Sequence, residues 1–362
     1  MSRHLFVDIS SHGLGHLAQA APVLAALRQR LPDLRLTIRS GLPEARIRAR
    51  LGGKFEATEA CSDFGFEMHD AISIDLPRTA GRYRAFHTDW VGRVDEEARF
   101  LQKLAPDLVL TDVAYLPLAG AARAGIPALS MCSLNWADLF AHFFGHEPWA
   151  APIHKEILAA YRSARSFLRL TPSMPMTDLA NAQAVLPVAA IGKDRRPELK
   201  SKLACADRDK IVLVAYGGFD RDLKAERWPI TAGIHWLIPA NWNIRRADMS
   251  AFEPLGMPFS DLLSSVDAIL TKPGYGTFVE AASASTRVLY QRREDWPEQE
   301  YLIAWLKDNA CCREVSAHEI ATGEFSQALD RLFQAPARRP PLPGGAEQAA
   351  GLIADTLLAP AC

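Results

Sequence analysis

Short apolar runs alternate with amphipathic stretches along most of the chain. Residues 4–9 predict a strand, residues 10–15 a turn, and apolar positions three or four apart over residues 17–31 predict a helix with one apolar face. Pro32 and Asp33 end that helix, and residues 34–39 predict the next strand. Strands that alternate with helices in this way indicate an α/β protein with parallel sheets covered by helices on both faces.

The same plan repeats in the second half of the chain, after a polar stretch at residues 193–209 that Pro197 interrupts. We therefore predict an N-terminal domain at 1–192, a linker at 193–209, a C-terminal domain at 210–340, and a final linker and helix at 341–362 that could pack back on the first domain. Further strands are predicted at 108–111, 126–131, 211–215, 234–238, 268–271 and 287–290, and further helices at 114–124, 298–308 and 346–358.

Composition narrows the function classes. The 362 residues are 49% hydrophobic and carry a formal net charge of −1, which excludes wholesale disorder and gives no overall field for nucleic acid. No apolar run reaches the ~20 residues of a membrane span, although peripheral membrane contact stays open. Without a signal peptide, and with six scattered cysteines that predict reduced thiols, we expect a cytoplasmic protein. The oligomeric state is not readable from these features.

The first turn, residues 12–16 (HGLGH), combines two glycines with two histidines between a strand and a helix. Gly13 and Gly15 would let the chain approach a ligand closely, and the helix start would supply free N–H groups. His12 and His16 would stand at the carboxyl edge of a parallel sheet, where such folds bind ligands. His16 is therefore a candidate general base, with a satisfied structural histidine as the equally open alternative.

The spacing of Gly13, Gly15 and Ala18 also fits a dinucleotide-binding fingerprint. Arg39, near the end of the second predicted strand, could accept the 2′-phosphate of NADP. An NADP-dependent oxidoreductase is thus one alternative function.

The strongest signal is residues 272–281 (KPGYGTFVEA), at the end of a predicted strand. Gly274 and Gly276 bracket a turn, Thr277 could cap the following helix, and the helix start would hold a diphosphate. Glu280 could accept hydrogen bonds from ribose hydroxyls, and Lys272 could act as a counter-charge. The alternatives are that Glu280 is an ordinary acid near a helix start and that Lys272 is a solvated surface residue. A second glycine turn at 217–218 (Gly217 and Gly218) would close this site from the other side.

Three stretches of the C-terminal half, 213–220 (LVAYGGFD), 265–281 and 290–302 (YQRREDWPEQEYL), resemble the nucleotide-sugar-binding half of MurG-like GT-B glycosyltransferases. The N-terminal stretches 10–27, 110–136 and 191–203, together with the tail at 340–358, are similar to the glycosyltransferase-like N-terminal part of plant L-arabinose kinases. The resemblance covers most of the chain. Those plant proteins carry a sugar-kinase domain after this region and this sequence stops before one, so no kinase activity is expected.

The resemblance implies a GT-B fold, with two facing Rossmann-like domains and a cleft between them. It implies that the donor nucleotide and diphosphate are lined by Gly217, Gly218, Lys272, Gly274, Tyr275, Gly276, Thr277 and Glu280. It puts Arg292, Arg293 and Glu298 on a loop that reaches the phosphates or the donor sugar. His16 falls where MurG-like enzymes have the acceptor-activating base, and Asp112 would orient that histidine or an acceptor.

These features together predict an inverting glycosyltransferase of hexosyl or N-acetylhexosaminyl type. It would transfer a sugar from a nucleoside-diphosphate sugar, in the first instance a UDP sugar, to an unknown acceptor hydroxyl, with no cofactor and no metal. A nucleotide-sugar 2-epimerase, a non-catalytic nucleotide-sugar-binding protein and the NADP enzyme are the alternatives. The aromatic stretch at 136–149 predicts buried core ahead of an acceptor lid or lipid-facing patch.

Overall fold

The computed structural model describes residues 3–59, 61–217 and 223–359. Gly218 is outside the described residues. Within the described part, the chain divides into two compact units. Unit 1 comprises residues 3–69, 74–188 and 343–359, and unit 2 comprises residues 70–73 and 189–342.

Unit 1 is built around a seven-stranded parallel sheet in the order β3-β2-β1-β4-β5-β6-β7. Its strands are β1 (His4–Ile9), β2 (Arg35–Ser40), β3 (Glu56–Glu59), β4 (Leu108–Asp112), β5 (Ala128–Cys132), β6 (Ser166–Leu170) and β7 (Ala182–Val185). Its helices up to residue 163 are α1 (Leu14–Arg30), α2 (Glu44–Leu51), α3 (Leu76–His87), α4 (Trp90–Leu104), α5 (Leu116–Ala124), α6 (Trp136–Phe144) and α7 (Ala150–Ser163). Every residue of β1, β4 and β5 is buried, as helices on both faces of a parallel sheet require.

Unit 2 contains a six-stranded parallel sheet in the order β10-β9-β8-β11-β12-β13. Its strands are β8 (Lys210–Val214), β9 (Ile234–Ile238), β10 (Met249–Ala251), β11 (Ala268–Thr271), β12 (Arg287–Tyr290) and β13 (Cys312–Glu314). Its helices are α8 (Arg196–Leu203), α9 (Phe259–Ser265), α10 (Tyr275–Ser283), α11 (Glu298–Asn309), α12 (Ala317–Thr322) and α13 (Ser326–Gln334). Three single-turn 3₁₀ helices lie at Ala225–Arg227, Ala240–Trp242 and Glu253–Leu255.

The last helix, α14 (Gly345–Leu358), returns to unit 1 and packs on α1 and β7. Arg30 donates to Glu347 at 3.2 Å, and the Leu186 N–H donates to the Gln348 side chain at 2.9 Å. None of the helices in the described part of the chain has both the length and the apolar composition of a membrane span.

The division into units differs from the predicted domain limits at two places. It falls between Val188 and Ala189, and the predicted linker at 193–209 contains α8, whose Leu199 is fully buried. Residues 70–73 belong to unit 2, because Ala71 and Ile72 are buried in its apolar core. The composition of this short loop, which lies inside the first predicted domain, does not indicate that it packs in unit 2.

Candidate functional site

Both predicted ligand loops stand at the switch point of their own sheet. In unit 1, the chain proceeds from β1 outward to β2 and β3, and then returns to place β4 on the other side of β1. In unit 2, β8 and β11 have the same relation. Ligands of open α/β sheets bind at the carboxyl ends of two such strands, because the loops there turn in opposite directions and leave a crevice.

In unit 1, the switch point brings His16 and Asp112 together. His16 lies in the first turn of α1, and Asp112 is the last residue of β4. The His16 Nδ1 is 3.1 Å from the Asp112 Oδ1, and the two residues are 6% and 0% exposed. An Nδ1–H that donates to the carboxylate leaves Nε2 as the basic nitrogen of the ring. This is the arrangement of a general base oriented by an acid.

Burial raises the pKa of Asp112. The charge of His16, its hydrogen bond and a hydrogen bond from the Cys132 thiol act in the opposite direction. The carboxylate therefore depends on these neighbours to remain ionised inside the protein.

The chain is strained immediately after Asp112. Val113 is a buried β-branched residue with φ of 68°, a conformation that such residues rarely adopt. The Tyr161 hydroxyl donates to the Val113 carbonyl at 2.6 Å and helps to hold it there. Such strain costs about 1–3 kcal/mol and concentrates at functional sites.

The helix that follows the first loop begins after a glycine. Gly13, the N-cap residue of α1, has φ of 135° and no side chain that could cap the helix. A Cβ added at Gly15 would meet no atom within 4 Å. His12 lies beside this loop, with its ring centre 5.2 Å from that of Trp136 and 6.3 Å from that of His16.

Arg39 lies near the end of β2, as the NADP hypothesis requires, but its guanidinium is not available to a ligand. It is 5% exposed and pairs with Asp8 through Nε and with Glu97 through both terminal nitrogens. The two carboxylates raise its pKa despite burial, so its charge is already neutralised inside the protein. It is a structural ion-pair residue and has no free face for a 2′-phosphate.

In unit 2, residues 272–274 connect β11 to α10. Gly274 is the N-cap of α10 and likewise has no side chain that could cap the helix. Thr277 is the third residue of the helix and not its cap, contrary to prediction. Gly274 has an extended φ of −162°, and an added Cβ would meet only the Lys272 carbonyl oxygen, at 3.9 Å. Neither backbone strain nor internal packing explains this glycine, whereas close approach of an anion to the helix start would.

Two cations, Lys272 and Arg293, and two buried carboxylates, Glu298 and the Glu280 of α10, lie around this helix start. Lys272 follows β11, Arg293 follows β12, and Glu298 begins α11. Lys272 keeps some exposed surface, but burial of its ammonium group, with repulsion from Arg293, lowers its pKa to about 7, against the opposing effect of Glu298. Burial likewise lowers the pKa of Arg293 to about 10. Lys272 and Arg293 are thus the cations that an anionic ligand at this helix start could contact, with Glu280, Glu298 and the half-buried Asp70 as opposing charges.

The other predicted donor residues divide into two groups. Gly217 follows β8 with φ of 81°, and an added Cβ would lie 4.0 Å from the Lys272 Cε, so it belongs with the cation cluster. Tyr275, Gly276 and Glu280 are buried in α10. Arg292 is outside this group, because it is half-buried and bound by Glu300 and Glu314. The side chain of Arg293 lies over the Trp296 ring, with its guanidinium carbon 3.8 Å from the ring centre.

Asp63, Trp136 and Cys132 also belong to the first site, although no sequence pattern indicated them there. The Trp136 indole donates to Asp63 at 2.7 Å, and burial, with repulsion from Asp8, raises the pKa of Asp63 to about 6. The Cys132 Sγ lies 3.8 Å from the His16 Nδ1. Only the strand-end position of Cys132 could have indicated this contact. The predicted core assignment of the aromatic stretch is confirmed for Phe140, Phe143 and Phe144, which are buried.

No protein-family model matches the chain. It is 24% identical over 381 residues to L-arabinokinase of Arabidopsis thaliana, covering 100% of this chain and 35% of that protein. The chain thus spans about a third of the length of the curated relative that it matches.

Solved structures of similar architecture include a calicheamicin glycosyltransferase, with TM-score 0.67 and 17% identity, covering 99% of this chain and 100% of that one. They also include a UDP-N-acetylglucosamine 2-epimerase, with TM-score 0.54 and 11% identity, covering 96% and 94%. The protein therefore has the α/β GT-B fold that the sequence predicted.

Proposed function

We propose that this protein transfers a sugar from a nucleoside-diphosphate sugar, with UDP as the first nucleotide to test, to an acceptor hydroxyl with inversion at the anomeric carbon. The single observation that carries the proposal is the buried contact of 3.1 Å between the His16 Nδ1 and the Asp112 Oδ1 at the switch point of unit 1. An imidazole fixed in this tautomer is suited to take a proton from a hydroxyl group.

His16 acts as the general base in this proposal. Its Nε2 accepts the proton of the acceptor hydroxyl while the oxygen attacks the anomeric carbon and the bond to the diphosphate breaks. Asp112 stabilises the imidazolium that forms and keeps the ring in position. Asp112 is thus a positioning residue.

The helix start at Gly274 and the nearby cations serve the departing diphosphate. Negative charge grows on the phosphate oxygen as the sugar leaves, and backbone N–H groups with Lys272 and Arg293 are suited to stabilise it. Glu280 is proposed to hold the ribose hydroxyls, which positions the donor without taking part in bond making. The donor sugar is proposed to be a hexose or an N-acetylhexosamine.

The first experiment measures donor binding. Thermal unfolding is followed with UDP, dTDP, NADPH, UDP-glucose and UDP-N-acetylglucosamine, because a ligand at 100 times its Kd stabilises the folded state by about 2.7 kcal/mol. We expect stabilisation by a nucleoside diphosphate and none by NADPH. Gly274→Ala should weaken this binding, since a methyl group enters the space in front of the helix start. Stabilisation by NADPH alone would overturn the donor assignment.

The second experiment measures chemistry. UDP release is followed from the stabilising donor with and without a panel of hydroxyl acceptors, and the anomeric configuration of the product is read by NMR. His16→Asn should lower turnover and leave the Kd for UDP unchanged. His146→Asn, at an exposed histidine of unit 1, is the matched control and should keep full turnover. Full turnover by the His16 variant would remove this residue from the mechanism.

A nucleotide-sugar 2-epimerase is the second candidate, because a UDP-N-acetylglucosamine 2-epimerase is among the similar structures. An epimerase converts the donor without an acceptor. UDP released only when an acceptor is present supports the transferase, whereas a change at C2 of the sugar without any acceptor supports the epimerase.

A further inference from the structure

The Cys132 thiol completes a cluster of three metal-ligating side chains with His16 and Asp112. The three come from different elements: α1, the end of β4 and the end of β5, which pair as neighbouring parallel strands. All three residues are buried. Within the part of the chain that the structure describes, no other group of three or more His, Cys, Asp or Glu side chains is gathered closely enough to hold a metal ion.

The distances suit a tetrahedral ion. The His16 Nδ1 is 3.1 Å from the Asp112 Oδ1 and 3.8 Å from the Cys132 Sγ, and the candidate ligand atoms all lie within 4.8 Å of one another. Tetrahedral zinc, with bonds of about 2.0–2.3 Å to nitrogen, oxygen and sulfur, separates its ligand atoms by roughly 3.3–3.6 Å. Small side-chain shifts therefore convert a hydrogen-bonded cluster into a coordinating one.

We propose that His16, Asp112 and Cys132 bind Zn²⁺ and that the bound ion inhibits the enzyme. A thiolate, an imidazole and a carboxylate form a ligand set that selects zinc over magnesium or calcium, which prefer oxygen ligands. The fourth position would hold water, as in other three-ligand zinc sites. The inhibitory part of this inference rests on the function proposed above, whereas the binding part does not.

Inhibition follows from the proton balance at His16. Zinc that binds through Nδ1 displaces the proton there, and a neutral imidazole must then carry its proton on Nε2. Nε2 is the atom that the proposed mechanism needs as proton acceptor. The Cys132 thiol also releases one proton to solvent when its sulfur binds the metal. The ion thus occupies Nδ1, and the ring's own proton then lies on Nε2, which can no longer accept one from a hydroxyl group.

Direct metal binding tests the site without reference to activity. The full-length, metal-free protein is titrated with ZnCl₂ against a chromogenic chelator near neutral pH, and with CoCl₂ for its absorption spectrum. We expect one tight equivalent of zinc and a thiolate-to-cobalt charge-transfer band. Cys132→Ser should lower the zinc affinity by more than about 10-fold and abolish the band. Removing a residue that binds the metal directly costs more affinity than removing one that only hydrogen-bonds to such a residue, which itself costs about 10- to 100-fold.

Cys312→Ser is the matched control, because it removes a half-buried thiol that neighbours Cys311 in unit 2. It should leave the tight equivalent and the cobalt band unchanged, and circular dichroism of each metal-free variant verifies folding. Equal zinc affinity of the wild type and Cys132→Ser, or a cobalt spectrum without a thiolate band, would show a hydrogen-bonded cluster only and overturn the proposal.

Activity then separates this inference from the proposed function. Zinc should inhibit transfer by the wild type, a chelator should restore it, and Cys132→Ser should lose zinc sensitivity when each protein is compared with its own metal-free rate. Tight zinc binding without transfer to any acceptor would leave the site standing and remove the transferase. If saturating zinc does not change the rate of transfer, the ion has no inhibitory role.

Discussion

Replacing Asp112 by asparagine tests the proposed dyad at its least exposed member. The substitution keeps the shape of the side chain and removes its charge, so packing around a fully buried position is preserved. An amide oxygen can still accept from the His16 Nδ1, but it stabilises an imidazolium far less than a carboxylate does. The change therefore acts on the charge that develops during proton transfer.

The magnitude follows from the contact of 3.1 Å. Two unit charges about 4 Å apart at an effective dielectric constant of about 20 interact by about 4 kcal/mol, which is the upper limit. A hydrogen bond to a charged group contributes about 1.5–3 kcal/mol, which sets the lower limit at about 1.5. Because about 1.4 kcal/mol corresponds to tenfold in rate, Asp112→Asn should lower kcat by about 10- to 1000-fold.

Initial rates of UDP release measure the effect, with a chelator present so that no metal ion occupies the cluster. The Kd for UDP, by isothermal titration calorimetry, should not change, because the proposed donor residues belong to unit 2. Stability in urea should not fall, since burial raises the pKa of Asp112 and the ionised carboxylate is costly there.

Asp107→Asn is the matched control, at the opposite end of the same strand. Asp107 accepts from the His4 N–H at 2.6 Å and from the Arg3 guanidinium at 2.9 Å, so its change should affect stability and not rate. A kcat of Asp112→Asn within twofold of the wild type would show that the buried charge has no part in proton transfer.

Three other side chains allow separate tests. Because the pKa of Lys272 is about 7, its charge is lost as the pH rises through that value, so UDP affinity should fall by up to about fivefold from pH 7 to pH 8. Lys272→Met should flatten this profile in calorimetric titrations, and an unchanged profile would exclude Lys272 from phosphate binding. Tyr161→Phe removes the hydroxyl that donates to the Val113 carbonyl and should lower the free energy of unfolding in urea by about 1–3 kcal/mol, whereas an unchanged value would mean that this bond does not hold the strained turn. Arg39→Met leaves Glu97 buried without its cation and should cost about 3–5 kcal/mol in the same assay, and a loss below 1 kcal/mol would contradict its structural role.

The sequence was informative about elements because their patterns are local. The strands His4–Ile9, Ile234–Ile238, Ala268–Thr271 and Arg287–Tyr290 have the predicted bounds, since each is a short apolar run between polar breaks. The helix predicted at 114–124 begins two residues later, at Leu116. The strained turn at Val113 displaces its start, and propensity carries no sign of that turn.

Contacts between distant residues were beyond the sequence patterns. The hydrogen bond from Trp136 to Asp63 joins positions 73 residues apart, and Cys132 lies 116 residues from His16. Their proximity depends on strand order, and the sequence alone did not give the order β3-β2-β1-β4-β5. The contact of His16 with Asp112, which also joins two elements, was expected from the family resemblance and not from a local pattern.

Charge separates two loops that look alike as sequence patterns. Both follow a strand and open a helix whose N-cap is a glycine, so either could hold a phosphate on backbone grounds. Around the first loop, however, Asp8, Asp63 and Asp112 are buried, and Arg39 is already neutralised by Asp8 and by a second carboxylate.

Around the second loop, two cations, Lys272 and Arg293, accompany the buried carboxylates of Glu280 and Glu298 and the half-buried Asp70. A pyrophosphate at the first loop would meet acids in a low-dielectric interior, where repulsion between like charges is strongest. The second loop is therefore the better anion site and the first is better suited to an uncharged hydroxyl. This difference favours a nucleotide-sugar donor in unit 2 over a dinucleotide in unit 1, and the comparison of UDP with NADPH in thermal unfolding tests it directly.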